Sequence, residues 1–564
     1  MACISPSRIA GSCSGRRRAP PPTVAVGPPP PSHWPSYLLR VPAMRPSLSV
    51  RTRRCKGPRS RTPIIVSSKL FSKPSDAEGF VSPENPGGNE EYGLPLGPEP
   101  CRGVPVFVTL PVDAVDAEGR MTRPKAMAVS FLALKAGGVE GVVMEVWWGI
   151  VEREGPGIYD WKGYRDVVAR AAKCGLKVRA IMSFHQSGRG FRVPLPRWVL
   201  QEMDKEPNLS YTDKAGRRDR ECLSLGCDML PVLNGRSPLQ AYSDFMRNFR
   251  DTFKGYLGAV VTGIQIGMGP GGELRYPYFP SEPLRMNSED FGKFQCFDKF
   301  MLASLRACAR AIGKDDWGNG VPFDVMDFEE NGPHQTSFFR NEGYCDSPQG
   351  RFFLSWYSGM LLLHGERLCM AAETIFHGTG VRLYGKIAGI HWHYTTASHP
   401  LELTAGYYNT STRDGYLPIA RMFGRHGVTL CCTCFDLRDA EEKKTNTNSS
   451  PEGLLKQLMY AAFSANIPVS GENSLPYLDD ASCRQILKTS KMYPDGYHES
   501  PSSFNFVRMD KNMFGGKSWS QFLRLVKELS HERNVKDHFN SRRTESHLSF
   551  KSSVERCGRA VAYY

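Results

Sequence analysis

No run of about 18 or more consecutive apolar residues, the length a membrane-crossing helix needs, occurs in the 564-residue chain, so neither a span nor a membrane partner is expected. No Asp or Glu precedes Asp76, although Met1–Ser75 holds 14 Lys/Arg, 14 Pro and 13 Ser. Beyond Ser75 the charges nearly balance, 58 basic against 57 acidic, so the formal charge of +15 comes almost entirely from the leader. That distribution gives no sign of a folded surface basic enough to neutralise many phosphates, and no nucleic-acid partner is expected. The Pro-rich leader also lacks the amphipathic helix that a DNA reader would present. Internal repeats are missing. Cysteine is not scarce, at 16, but the C-x-x-C spacing from Cys431 to Cys434 has no second pair at ligand distance. Neither a zinc site nor a small disulfide framework is therefore expected. These thiols are expected in a strand core.

What is present divides the chain into four. Met1–Ser75 cannot bury enough apolar surface to offset its ordering entropy and is expected to be disordered. Its Arg- and Ser-rich, acid-free composition is that of an organelle transit peptide. Residues 76–103 form a Gly/Pro/Glu-rich linker, 104–530 the folded body, and 531–564 a polar tail. Within the body, short apolar runs alternate with amphipathic stretches such as Lys125–Ala136. The runs are Val104–Leu110, Gly141–Trp147, Leu176–Phe184, Val260–Ile266, Tyr384–Ile390, Val428–Thr433, Ile467–Val469 and Phe504–Met509. Continuous runs of this kind mark parallel strands covered on both faces. Eight of them, with an oversized connection after the fourth, predict an α/β fold of the (β/α)8-barrel type rather than an open doubly wound sheet. The barrel is favoured because polar and aromatic residues gather where the strands end: His185, Glu273, His391, Trp392, Thr433, Glu472 and Arg508.

Two of these residues are candidates to carry chemistry. Glu273 closes the loop Gly267-Met-Gly-Pro-Gly-Gly-Glu273, whose glycines suit close approach by a ligand, with Arg275 and Tyr276 beside it as candidate orienting groups. Glu472 follows a short strand in Val469-Ser-Gly-Glu-Asn473. Cleavage of a glycosidic bond needs one carboxylic acid to protonate the leaving oxygen and one carboxylate on the other side of the sugar. Two glutamates at different strand ends of one barrel meet that requirement. Nearby aromatics (Trp147, Trp148, Phe184, Tyr276, Trp392, Tyr394, Tyr407 and Tyr408) are candidates to stack on sugar faces.

Several longer segments together resemble the plant β-amylase family, glycoside hydrolase family 14. They are Val146-Trp-Trp-Gly-Ile-Val-Glu152, Ser183-Phe-His-Gln186, Gly267–Pro277, Phe294-Gln-Cys296, Gly389-Ile-His-Trp392, Glu402-Leu-Thr-Ala-Gly-Tyr-Tyr-Asn409, Arg413-Asp-Gly-Tyr416 and Gly471-Glu-Asn473. The resemblance runs from about Val104 to Leu529 and is nearest to plastid-type members, so it implies a chloroplast address. It implies an exo-hydrolase that takes α-1,4-glucan (starch and maltooligosaccharides) from the non-reducing end and releases β-maltose with inversion. Glu273 would be the general acid, its pKa raised by an apolar or anionic setting. Glu472 would be the base that activates water, about 6.5–9.5 Å from the acid. Glu145, His185, Lys386, His391, Trp392, Thr433, Asn473, Ser474 and Arg508 would surround the sugars, with Thr433 on an inner loop that moves with substrate. The resemblance implies no metal and no organic cofactor.

The pattern departs from the family in three places. The stretch His185-Gln-Ser-Gly-Arg-Gly-Phe-Arg-Val-Pro194 is shorter than the family's lid loop and carries Arg189 and Arg192 where an aspartate is usual. Glu145 stands where the family has Asp. The inner loop reads Leu430-Cys-Cys-Thr-Cys-Phe-Asp436, and Ser474 replaces the usual Ala. A lid completes a site by excluding water. These departures therefore frame a second expectation, a glucan-binding or regulatory relative with weak or no turnover.

Overall fold

The computed structural model describes residues 103–186, 193–277, 293–320, 338–339, 343–442, 448–475, 477–490 and 503–530. The expected leader, nearly all of the linker, the polar tail and the lid residues Ser187–Arg192 lie outside them.

Eight parallel strands form a closed barrel, the class the apolar runs predict. In chain order the strands are β1 (Val106–Thr109), β2 (Gly141–Trp147), β3 (Lys177–Ser183), the hairpin strands β4 (Ser210–Thr212) and β5 (Arg218–Leu223), β6 (Val261–Ile266), β7 (Arg382–Lys386), β8 (Val428–Cys432), β9 (Val469–Glu472) and β10 (Ser503–Phe506). β1 pairs with β2 on one side and β10 on the other, and this closure rules out an open sheet. The strands read as unbroken apolar runs because both faces are covered. Val142, Val143, Met144 and Val146 of β2 are all fully buried.

Helices cover the outside by the ordinary logic of amphipathic periodicity. Helix Lys162–Lys173 buries Tyr164, Val167, Val168 and Ala171 at i, i+3, i+4 and i+7 and leaves its charged residues to solvent. Its larger apolar side chains contribute about 1.5–3 kcal/mol each on burial. The helix ends at Cys174, and Gly175 follows with a φ of 70° that few residues but glycine adopt. A charge at Val168, which is fully buried, would break this packing, because desolvating it is costly. Helix Pro238–Thr252 starts with a reciprocal capping box between Ser237 and Gln240.

Three details differ from the sequence expectation. The β3–β6 connection is also long and holds the β4–β5 hairpin, whose polar strand Arg218–Leu223 gives no apolar run to detect. β7 ends at Lys386, before the expected Ile390. β9 begins at Val469 and includes Glu472 itself. A polar Ser-Gly-Glu strand is stable here because the barrel interior supplies its partners. Gly471 also lets the Phe435 ring lie against the backbone, where a Cβ would come within 2.3 Å of it.

The oversized connection follows the fourth barrel strand as expected, from Gly267 to Val381, and includes helices Lys299–Ala311 and Pro348–Phe376. It begins with Gly267, where a Cβ would stand 2.0 Å from the Met182 carbonyl oxygen. Backbone cannot yield as a side chain can. Gly267→Ala is therefore expected to destabilise the fold by about 1–3 kcal/mol or more, and to misplace the loop carrying Glu273. A thermal melt and a rate measurement on one preparation would check both effects.

Candidate active site

The carboxylates meet at the C-terminal mouth of the barrel, around one lysine. Glu472 ends β9 and is buried. Its Oε2 lies 2.8 Å from Lys386 Nζ, at the end of β7, and its Oε1 accepts from Asn505 Nδ2 at 2.9 Å. Glu273 Oε1 lies 3.7 Å from the same ammonium. Glu273 comes within reach because its loop pairs with the end of β7. The Leu274 amide donates to the Lys386 carbonyl at 2.9 Å, after a tight turn in which Gly271 and Gly272 hold positive φ. One cation thus tethers both glutamates to a common space.

Their electrostatics differ. Burial pushes the Glu472 pKa up, but the Lys386 charge and hydrogen bond, the Asn505 amide and the Arg179 guanidinium outweigh it, so the net direction is down. For Lys386 burial opposes the charge, yet the two carboxylates raise its pKa overall. Glu273 does not sit in the apolar or anionic setting expected of the acid. Arg275, itself buried, donates from Nε to Glu273 Oε2 at 2.8 Å, so a guanidinium and an ammonium flank this carboxyl.

The remaining predicted site residues ring this centre in different ways. Glu145 of β2 forms a two-point ion pair with Arg508, at 2.8 and 3.1 Å, and Arg508 also donates to the Leu110 carbonyl at 2.9 Å. The Asn473 side chain is committed to backbone. It donates to the Leu475 and Val507 carbonyls and accepts from the Val507 amide, tying the end of β9 to that of β10. Thr433 Oγ1 lies 2.8 Å from Ser474 Oγ, so the inner loop after β8 touches the loop after Glu472 directly. His391 is buried against Ser449 Oγ at 2.7 Å, and burial takes its pKa down to about 4. Its ring lies 4.0 Å from the Trp392 ring. His185 is buried beneath the Tyr242 hydroxyl at 3.2 Å, with a pKa pushed down to about 3, and the contacts it makes do not include either glutamate. Both imidazoles are neutral near pH 7.

Several aromatics expected as stacking platforms are core instead. Trp148, Tyr276 and Tyr407 are fully buried, and Trp147 and Phe184 nearly so. Tyr276 stacks on Tyr357 at 3.9 Å and donates its hydroxyl to the Tyr357 carbonyl, so it is a packing residue and not an orienting one. Cys431, Cys432 and Cys434 are buried thiols in and after β8. Among the described residues no cluster of metal-ligating side chains occurs, and no helix is long and apolar enough to cross a membrane.

Sequence reasoning missed four supports. Asn505 holds Glu472, and the inward alternation of β10 was the available signal. Asp436 accepts from the amides of Ser474 and Leu475, both at 2.8 Å, which fixes the loop beyond Glu472. Arg179 lies inside the barrel below Glu472. His364, on Pro348–Phe376, has Nδ1 2.8 Å from Asp228 and Nε2 2.8 Å from the Met268 carbonyl, within the Glu273 loop.

Both His364 partners are acceptors, so both ring nitrogens donate and the ring is an imidazolium. Burial opposes that charge, but Asp228 and the Met268 carbonyl outweigh it and raise the pKa. A raised folded-state pKa gives stability that is complete below the unfolded value of about 6.5 and is lost as pH rises through the folded value. Calorimetry should therefore find the gap in melting temperature between the parent and His364→Asn widest below about pH 6.5 and narrowing above it. A gap unchanged from acid to alkaline pH would contradict the imidazolium.

A closed parallel barrel with two carboxylates gathered round a lysine at its C-terminal mouth defines the glycosidase class of barrel enzyme. The glycosyl hydrolase family 14 model matches residues 107–534, and the chain belongs to that family. It is 46% identical over 484 residues to beta-amylase 1, chloroplastic, of Arabidopsis thaliana, covering 84% of this chain and 83% of that one. It is 47% identical over 435 residues to beta-amylase 1, chloroplastic, of Oryza sativa subsp. japonica, covering 76% and 81%. The fold matches the crystal structure of the catalytic domain of beta-amylase from Paenibacillus polymyxa with a TM-score of 0.62 and 24% identity. That match covers 76% of this chain and 99% of the other.

Proposed function

We propose that this chain is a starch-hydrolysing β-amylase in which Glu273 is the general acid and Glu472 the general base. The observation that carries the reading is Lys386, which holds a buried Glu472 at 2.8 Å and reaches Glu273 at 3.7 Å at the mouth of a family 14 barrel. Glu472, ionised through Lys386 and Asn505, takes a proton from a water that attacks the anomeric carbon. As that C–O bond forms, the bond to the leaving glucan oxygen breaks, and Glu273 supplies the proton that oxygen needs. Attack from the opposite face inverts the anomeric centre and gives the β-anomer of maltose. Lys386 turns mainly to Glu472, which leaves Arg275 as the cation that positions the acid. Before each turnover the proton gained by Glu472 is lost and one is regained at Glu273 through solvent.

To His185, His391, Trp392, Thr433 and Ser474 this reading assigns the contacts with glucose units, as neutral donors, acceptors and a ring. The Glu145–Arg508 pair and Asn473 hold the frame. The acid-free, Arg- and Ser-rich leader, together with the chloroplastic relatives, supports a plastid address, specifically the stroma.

The test is maltose release from soluble starch by the full chain, beside Glu273→Gln and Glu472→Gln. Both variants are expected to be nearly inactive, and parent-like turnover in either would remove its assigned role. A parent that binds maltooligosaccharide without releasing maltose would overturn the hydrolase reading. Met1–Ser75 fused to a fluorescent protein should enter plastids, and cytosolic fluorescence would refute the address.

A further inference from the structure

We infer that Arg179 is a positioning residue for the hydrolysis, a guanidinium fixed one barrel layer below Glu472 whose positive charge keeps that base ionised. The inference rests on the reading of Glu472 as the base. Arg179 projects from β3 and is almost completely buried. Its two terminal nitrogens donate to Ser470 Oγ of β9 at 3.1 Å and Ser503 Oγ of β10 at 2.8 Å, and these hydroxyls lie 2.7 Å from each other. The guanidinium carbon lies 3.8 Å from the centre of the Tyr384 ring of β7 and 4.8 Å from that of Phe107 of β1. One side chain therefore touches four other barrel strands. Gly263 of β6 makes the room, since a Cβ there would meet Tyr384 at 2.7 Å and Arg179 itself at 3.2 Å.

The placement beneath the base follows from register. Ser470 and Glu472 are two apart on β9 and share its inward face, about 6–7 Å along the strand. Ser503 pairs with Ser470, and Asn505, which holds Glu472, pairs with Glu472. The hydroxyls gripping Arg179 thus form the layer directly under the carboxylate.

The charge state of the neighbours makes Arg179 unusual. Lys386 from β7, Arg179 from β3 and Arg508 near the end of β10 act on Glu472. Glu273, on the loop after β6, shares Lys386 with it, and the Cys431 and Cys432 thiols come from β8. Arg508 is neutralised by both oxygens of Glu145, Arg275 by Glu273, and Lys386 is divided between the two glutamates. Arg179 has no carboxylate at ion-pair distance among the described residues, and its Nε makes no hydrogen bond. Burying an unpaired cation is costly, and a neutral side chain would fill the space and satisfy the serines at lower cost. The charge is retained where its field falls on the base.

The test is the pH profile of kcat/KM, whose acid limb reports the base in the free enzyme. Arg179→Gln and Arg179→Met should move that limb up by about one pH unit, the scale of a unit charge at this separation in a partly screened interior. Arg179→Lys should leave it near the parent value. Neutral variants that fold and keep the parent acid limb would overturn the inference, because a merely structural residue would not move it. Should neither neutral variant fold, the Glu472 carboxylate band, isolated as the infrared difference between parent and Glu472→Gln, still decides. A titration midpoint at or above the ordinary glutamate value of about 4.3 would overturn the inference. Parent-like turnover in Glu472→Gln would instead remove the base assignment, while the difference in infrared midpoint between the parent and an Arg179 variant would still report the effect of Arg179 on that carboxyl.

Discussion

Glu472→Gln is expected to lower maltose release from starch by at least about a thousandfold at the parent's optimum, near the upper range for loss of a positioned base. The amide keeps the shape of the carboxylate but cannot accept the proton of the attacking water. Among the described residues it also leaves Lys386 Nζ with only Glu273, 3.7 Å away, as a counter-charge. Truncating one partner of a buried pair commonly costs about 3–5 kcal/mol. Glutamine recovers part of this, because its oxygen can still accept from Lys386 or Asn505. The loss of rate should therefore far exceed the loss of stability, and KM for maltooligosaccharide should change little. A fall in rate that merely tracks a fall in melting temperature would assign Glu472 to structure and not to chemistry. Steady-state kinetics beside a thermal melt separates the two.

Much of this architecture is legible in the residues because apolar continuity and barrel geometry are local signals. Val142–Val146 and Val178–Met182 announce doubly covered strands, and the ends of such strands are where chemistry collects. Glu472 is legible that way, and Glu273 through the glycines that bend its loop. The β4–β5 hairpin stayed hidden because its strands carry no apolar run. The supporting network was hidden for another reason. Asn505, Asp436, Arg179 and His364 are separated in sequence from what they hold by tens to hundreds of residues, and only closure of the barrel brings them together. Aromatic residues misled in the opposite direction, since Tyr276 and Trp148 have the chemistry of a sugar platform but lie fully inside the packing. The setting of Glu273 is a further case. Arg275 is two residues away, yet nothing in the sequence says that its guanidinium turns back onto the carboxylate rather than out to solvent.

Lys386→Met is expected to have the second large effect, and it separates the two glutamates. Glu273 retains Arg275 at 2.8 Å, whereas Glu472 keeps only the Asn505 hydrogen bond and the more distant Arg179 and Arg508 charges. A carboxylate stripped of its ion pair in a buried site takes up a proton in preference to remaining charged. The parent Glu472 has a lowered folded-state pKa, so its contribution to stability is present above the unfolded value and disappears as pH falls through the folded one. In the methionine variant the sign reverses, because the folded-state pKa now exceeds the unfolded value. Stability should then fall as pH rises from about 4 to 7, and the gap in melting temperature from the parent should widen over that interval. The acid limb of kcat/KM should move up by about two units or more, beyond the effect of removing Arg179, since the nearer charge counts for more. Activity near neutrality should drop on the order of a hundredfold or more, within the range for acid–base catalysis. A variant whose melting gap is constant with pH, or whose acid limb stays at the parent value, would show that Lys386 does not hold the base in its charged form.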